Sequence, residues 1–193
     1  GKATYEEVAY LLLHGNLPSR KELDAWHEEL RVRRPLEPET LRLMQQLPLA
    51  DPMAYLRTVA SAIGLAEPTA NDTSPQALRR LAVNLIAKTP TIVVLFDRFR
   101  RKKPMLGPKP DLGHSANFLY MLHGEDPSPK HVAAMDVYLV LLAEHGFNAS
   151  TFAARTTVAT QSDLYSGVVA AIGALKGPLH GAANTKAMEM LQE

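Results

Sequence analysis

The sequence contains no cysteine. This excludes disulfides, thiolate nucleophiles and thiolate-bound zinc or iron–sulfur centres, leaves His, Asp and Glu as the only metal ligands, and fits a reducing interior. Charge of one sign is also missing. With 21 Lys and Arg against 20 Asp and Glu, neither disorder through charge excess nor a polyanion-seeking surface follows. No apolar run reaches the roughly 20 residues a bilayer span requires, and the longest weakly charged stretch, Ala153 to Leu175, is interrupted by Arg155 and Asp163. The chain passes from Gly1-Lys2-Ala3-Thr4 directly into an amphipathic pattern without a signal-peptide core, so the expected location is cytoplasmic. There is no Walker or dinucleotide phosphate loop and no nucleophile elbow. The 193 residues, 46% of them hydrophobic, are enough for one ordinary globular domain.

Helical periodicity runs from end to end, and an all-α fold is expected. Thr4 with Glu7 and Ser19 with Glu22 have the spacing of reciprocal helix caps. Ser74-Pro75 and Ser128-Pro129 each pair an N-cap hydroxyl with a proline at the first helical position. Leu78, Leu81, Ala82, Leu85 and Ile86 recur on one face of a helix that runs to about Lys102 with a kink at Thr89-Pro90. Further helices are expected at about 38–46, 52–63, 111–123, 129–145, 149–160, 163–175 and from 181 onward. Segments 132–143 and 163–175 are apolar on nearly all faces, Asp136 excepted, and are expected in the buried middle of the stack. Lys103–Pro110, with three prolines and a glycine, reads as a loop between helices.

Seven histidines are the natural candidates for proton chemistry. His14-Gly15, His123-Gly124 and His145-Gly146 each close an apolar run and read on spacing alone as helix ends, with His meeting the dipole and Gly the cap. His27 and His131 lie among charges, and His114 near a helix start is either structural or functional. His180 stands at a break between two helices, among small residues that would admit a ligand. It is either a pocket-lining imidazole or a turn residue satisfied by solvent. Asn148-Ala149-Ser150-Thr151 reads as an N-cap region. The cluster Arg98, Arg100, Arg101, Lys102 and Lys103 is explained by the helix dipole without nucleic acid, because no aromatic platform is interleaved.

Four strings go beyond spacing: Tyr5 through Gly15, Asn117 through Leu122, Glu144 through Phe152, and Gly177-Pro178-Leu179-His180-Gly181 with Asn184. In this order, and over essentially the whole chain, they resemble the citrate synthase and 2-methylcitrate synthase family. The resemblance implies an all-α homodimeric enzyme that condenses acetyl-CoA or propionyl-CoA with oxaloacetate, the acyl-CoA being a substrate and no resident cofactor being needed. It implies that His180 hydrogen-bonds the thioester carbonyl so that an enol can form, and that His145 helps to hold oxaloacetate. Asn148 and Ser150 would line the same site and support the catalytic imidazole. It also implies pairing of subunits through helices 75–102 and 52–63.

The family's base carboxylate, its second His and its substrate-binding arginines are expected beyond residue 193, and the small domain and a short N-terminal segment outside this stretch. After His180 the acids are Glu189 and Glu193, neither at the position of the family's base. The chain is therefore expected to be a large-domain segment that does not turn over by itself, or else a non-catalytic helical dimerisation module. The family's His-Gly-Gly-Ala-Asn-Glu reads here His180-Gly181-Ala182-Ala183-Asn184-Thr185, a local change of shape and charge.

Overall fold

Reciprocal caps open the first two helices. In the computed structural model, which describes residues 3–181, 188–190 and 192, the Thr4 N–H donates to the Glu7 carboxylate at 2.7 Å and the Glu7 N–H to Thr4 Oγ1 at 3.3 Å. Ser19 and Glu22 repeat the arrangement. The helices that follow are α1 (Tyr5–His14), α2 (Arg20–Arg33), α3 (Pro38–Gln46), α4 (Pro52–Ala66), α5 (Pro75–Arg100), α6 (His114–His123), α7 (Pro129–Ala143), α8 (Ala149–Ala159) and α9 (Leu164–Leu175). No strand occurs among the described residues. Proline occupies the first position of α3, α4, α5 and α7, where its missing N–H has no helical partner to lose.

Several ends differ from the periodicity. The long helix stops at Arg100, and Lys102 has a φ of 55° that no α-helix tolerates. It continues as one helix through Pro90, with Thr89 Oγ1 donating to the Leu85 carbonyl at 2.7 Å. Residues 111–113 form a turn ending in the extended Gly113, so α6 begins only at His114. Glu144 is extended (φ −155°, ψ 130°), so α7 ends two residues before His145. The helix expected from 181 falls mostly outside the described residues, although 188–190 and 192 are helical.

The chain divides into two compact units. One comprises the chain up to Pro38 with Ala82–Gly146, the other Glu39–Leu81 with the chain from Phe147 on. In the first unit, Ala9, Tyr10, Trp26, Leu30, Val83 and Ala87 form an apolar core, and His14 stacks on Tyr10 with ring centroids 3.9 Å apart. A second, polar cluster is buried beside the starts of α1 and α6. Asp136 accepts the Tyr5 N–H at 3.2 Å and the Ser115 hydroxyl at 2.8 Å. Glu6 accepts the His114 N–H at 2.6 Å, which caps α6 from another helix, because Gly113 has no side chain to do so. Arg34, 3% exposed, donates to the Leu112 carbonyl at 2.7 Å.

The expectation that 132–143 is buried is corrected here. α7 has no buried residue, and Leu141 is 68% exposed. Its apolar side chains surround the helix without forming one stripe, whereas its packing partners are α1 and α6. Segment 163–175 is intermediate, since α9 buries Tyr165, Gly167 and Ile172.

In the second unit, α9 packs on α4 and α8. Glycine permits both contacts. A Cβ on Gly64 would lie 2.6 Å from the Tyr165 Cβ, and one on Gly167 would lie 2.7 Å from a Val158 methyl. Met44, Tyr55, Val59 and Ile63 are buried in the same unit, and the Tyr55 hydroxyl donates to the Met44 carbonyl at 2.7 Å. Burial pushes the Tyr55 phenol up to about 12.

Candidate active site

The N-terminus of α8 is fixed by Asn148, whose Oδ1 accepts the Thr151 N–H at 2.9 Å. This places Ser150 in the first helical turn, on the surface that faces the end of the following helix. Residues 160–163 reverse the chain into α9, and the Asp163 carboxylate caps that helix by accepting the Ser166 N–H at 2.9 Å. The two helices pack as a hairpin.

Beyond Leu175 the chain leaves α9 through tight turns. The Gly177 N–H donates to the Ala174 carbonyl at 3.1 Å and the His180 N–H to the Gly177 carbonyl at 3.0 Å. These turns bring the imidazole back to the start of α8, where His180 Nε2 and Ser150 Oγ share a hydrogen bond of 2.7 Å. Both residues are half-buried. The pair thus joins a helix start and a post-helical turn thirty residues apart in sequence. With Nε2 engaged by the hydroxyl, Nδ1 is the second position at which an imidazole can donate or accept.

Of the four residues singled out, the structure brings Ser150 and His180 together and puts Asn148 on the same helix start as its cap. His145 belongs to the other unit, where it is exposed after α7 and precedes Gly146, whose φ is 91°. Asn184 lies outside the described residues, as do Ala182, Thr185 and Glu193. Glu189 is exposed.

The remaining histidines are mostly structural. His14 and His123 end α1 and α6 in front of left-handed Gly15 and Gly124, as the spacing predicts. His114, 4% exposed, is a buried residue of the polar cluster, and burial, with the Arg34 charge, pushes its imidazole down to about 4. His27 and His131 are exposed. The three arginines of the basic cluster are engaged internally. Arg98, 5% exposed, donates to the Pro104 and Met121 carbonyls at 2.7 and 2.9 Å, and Arg100 and Arg101 both pair with Asp97.

A cavity of about 350 Å³ beside Gly64, Glu67, Asp163 and Tyr165 and another of about 960 Å³ beside Leu119, His123, His131 and Tyr138 are lined by neither Ser150 nor His180. Among the described residues no group of three His, Asp or Glu is placed to hold a metal ion. No described helix is long and apolar enough to cross a membrane.

The family model described as citrate synthase, C-terminal domain, matches residues 1–193. The chain belongs to the citrate synthase family. It is 43% identical over 193 residues to a citrate synthase of Deinococcus radiodurans, covering 100% of this chain and 51% of that protein. It is equally, 43%, identical to a 2-methylcitrate synthase of Mycobacterium tuberculosis, covering 100% of this chain and 49% of that one. The crystal structure of citrate synthase from Pyrobaculum aerophilum superposes with a TM-score of 0.91 at 42% identity, over 96% of this chain and 49% of that one. The chain therefore spans about half the length of the citrate synthase relatives it matches.

Proposed function

We propose that this chain is the part of a citrate synthase-type acyltransferase that carries the thioester-facing histidine, in a homodimeric cytoplasmic enzyme that condenses acetyl-CoA or propionyl-CoA with oxaloacetate. The observation that carries the proposal is the 2.7 Å hydrogen bond between His180 and Ser150, formed in a chain that matches the family over its whole length. Ser150 fixes the rotation of the imidazole. The ring's free nitrogen then donates to the thioester oxygen, and as the α-proton leaves, the developing negative charge on that oxygen is stabilised as an enol. The enol carbon attacks the ketone of oxaloacetate, and hydrolysis of the resulting thioester releases CoA. His145 and Asn148 belong, in this reading, to the oxaloacetate side.

The base that takes the α-proton, the histidine that polarises the ketone and the arginines that hold the carboxylates come from polypeptide outside residues 1–193. The 193-residue chain alone is accordingly inactive. The match extends equally to citrate and 2-methylcitrate synthases, so the acyl chain is left as acetyl or propionyl. Retention of the Ser150–His180 pair favours this reading over a module kept only for dimerisation.

The test is a coupled assay of CoA release on the full-length protein and on the 193-residue chain. The full-length enzyme should lose about 10²- to 10⁴-fold in kcat on His180→Ala, the range expected for one positioned acid. The short chain should release none. Full activity of the variant, or turnover by the short chain, would overturn the assignment.

A further inference from the structure

Gly181 follows His180 directly, and what it requires is space. Its backbone is not left-handed, unlike that of Gly15, Gly124 and Gly146. A Cβ built on it would lie 1.9 Å from the Leu175 carbonyl oxygen, 3.0 Å from the carbonyl carbon and 3.2 Å from the Leu175 Cδ1. The first two obstacles are backbone at the end of α9 and cannot swing aside as a side chain can. The chain returns this closely because the turn bonds through Gly177 and His180 fold it back over the helix end.

We infer that Gly181 is a positioning residue for His180: the contact of its bare Cα with the Leu175 carbonyl sets how far the turn closes, and this closure delivers the imidazole to Ser150. The inference rests on the role proposed above for His180, but it concerns the geometry of the free protein. Relieving a separation of only 1.9 Å between a Cβ and the carbonyl oxygen moves the backbone next to His180 by on the order of 1 Å, whereas a hydrogen bond at 2.7 Å weakens steeply beyond its normal range of about 2.7–3.2 Å. Displacements of about that size at a reacting group cost on the order of 10²-fold in rate.

Neighbouring glycines supply internal controls. A Cβ on Gly173, inside α9, meets nothing within 4 Å, and one on Gly177 meets the Ala174 carbonyl oxygen at 3.2 Å.

The experiment follows the imidazole nitrogens of His180 by NMR in the ¹⁵N-labelled chain without substrate, assigned with a His180→Gln variant. Ser150→Ala defines the signal of a ring that has lost its partner. Gly181→Ala should move His180 more than half of the way to that signal, Gly177→Ala part of the way in the same direction, and Gly173→Ala not at all. An unmoved His180 signal in Gly181→Ala overturns the inference. Should that variant not fold, Gly177→Ala decides, and an unmoved signal there overturns it as well. Loss of the fold in both would also overturn it, because the glycines would then serve the hairpin itself. Since no substrate is present, this result stands apart from the assay of CoA release, and either assignment can fail without the other.

Discussion

In the unit that holds α1 and α6, His114 is 4% exposed, its ring centroid is 4.9 Å from that of Tyr5, and its backbone N–H is held by Glu6. In the unit that holds α8 and α9, His180 stands half-buried on a turn with one hydroxyl as its partner. The side chains are identical and their circumstances opposite. Around His114 the polar groups Glu6, Arg34, Ser115 and Asn117 are all buried, and their bonds run to other groups of the same unit: Glu6 accepts the His114 N–H, Arg34 donates to the Leu112 carbonyl, Ser115 to Asp136, and Asn117 accepts the Lys109 N–H. The His180 ring instead makes a part-buried bond to another side chain, the Ser150 hydroxyl. Burial with bonds to backbone and helix starts marks architecture, and an oriented side-chain bond on a half-buried turn suits a reactive group.

The sharpest way to break this contrast is to remove a charge from the buried cluster. Glu6→Ala takes away the cap of α6 and the negative charge facing Arg34. It should cost about 3–5 kcal/mol, the loss expected when a buried charge is left without compensation, measured by urea denaturation. A cost below about 1 kcal/mol would place the cluster in the same class as the surface pairs.

The next largest effect is on pH dependence. The folded-state imidazole of His114 sits near 4 against 6.5 for the free group. As pH falls through 6.5 the unfolded chain therefore takes up a proton that the folded chain refuses. Stability contributed by the neutral ring is complete above about 6.5, declines as pH falls toward 4, and levels off below that. The loss amounts to on the order of 3 kcal/mol. Denaturation curves at pH 7 and pH 4.5 for the native protein and a His114→Asn variant measure it, and the variant should show a smaller difference between the two pH values.

The smallest effect is expected on the other side of the comparison. Ser150→Ala should change stability by less than about 1 kcal/mol, the net worth of one half-exposed hydrogen bond, while it removes the hydroxyl that His180 Nε2 meets at 2.7 Å. A stability loss as large as that of Glu6→Ala would make Ser150 architectural and erase the distinction between the units.

Local chemistry made the helices legible. Thr4, Ser19, Ser128 and Asn148 cap where short-range hydrogen bonding predicts, because each satisfies an N–H three residues away. The pairing of Ser150 with His180 was available only through family resemblance, since no periodicity links positions thirty residues apart. The polar cluster was not visible at all. Asp136 stood out as the one acid in an apolar run, but its partners, the Tyr5 N–H and the Ser115 hydroxyl, lie 131 and 21 residues away, and that distance carries no sequence signal. The burial expected of 132–143 failed for a related reason: hydrophobicity says that a segment avoids water, and only tertiary packing says what covers it.

The last of these has a consequence for handling the protein. A helix whose Leu141 and Val137 are 68% and 50% exposed offers an adhesive surface to any other apolar surface it meets. Dye binding, column retention and sedimentation of the 193-residue chain should therefore vary with its concentration and with added detergent.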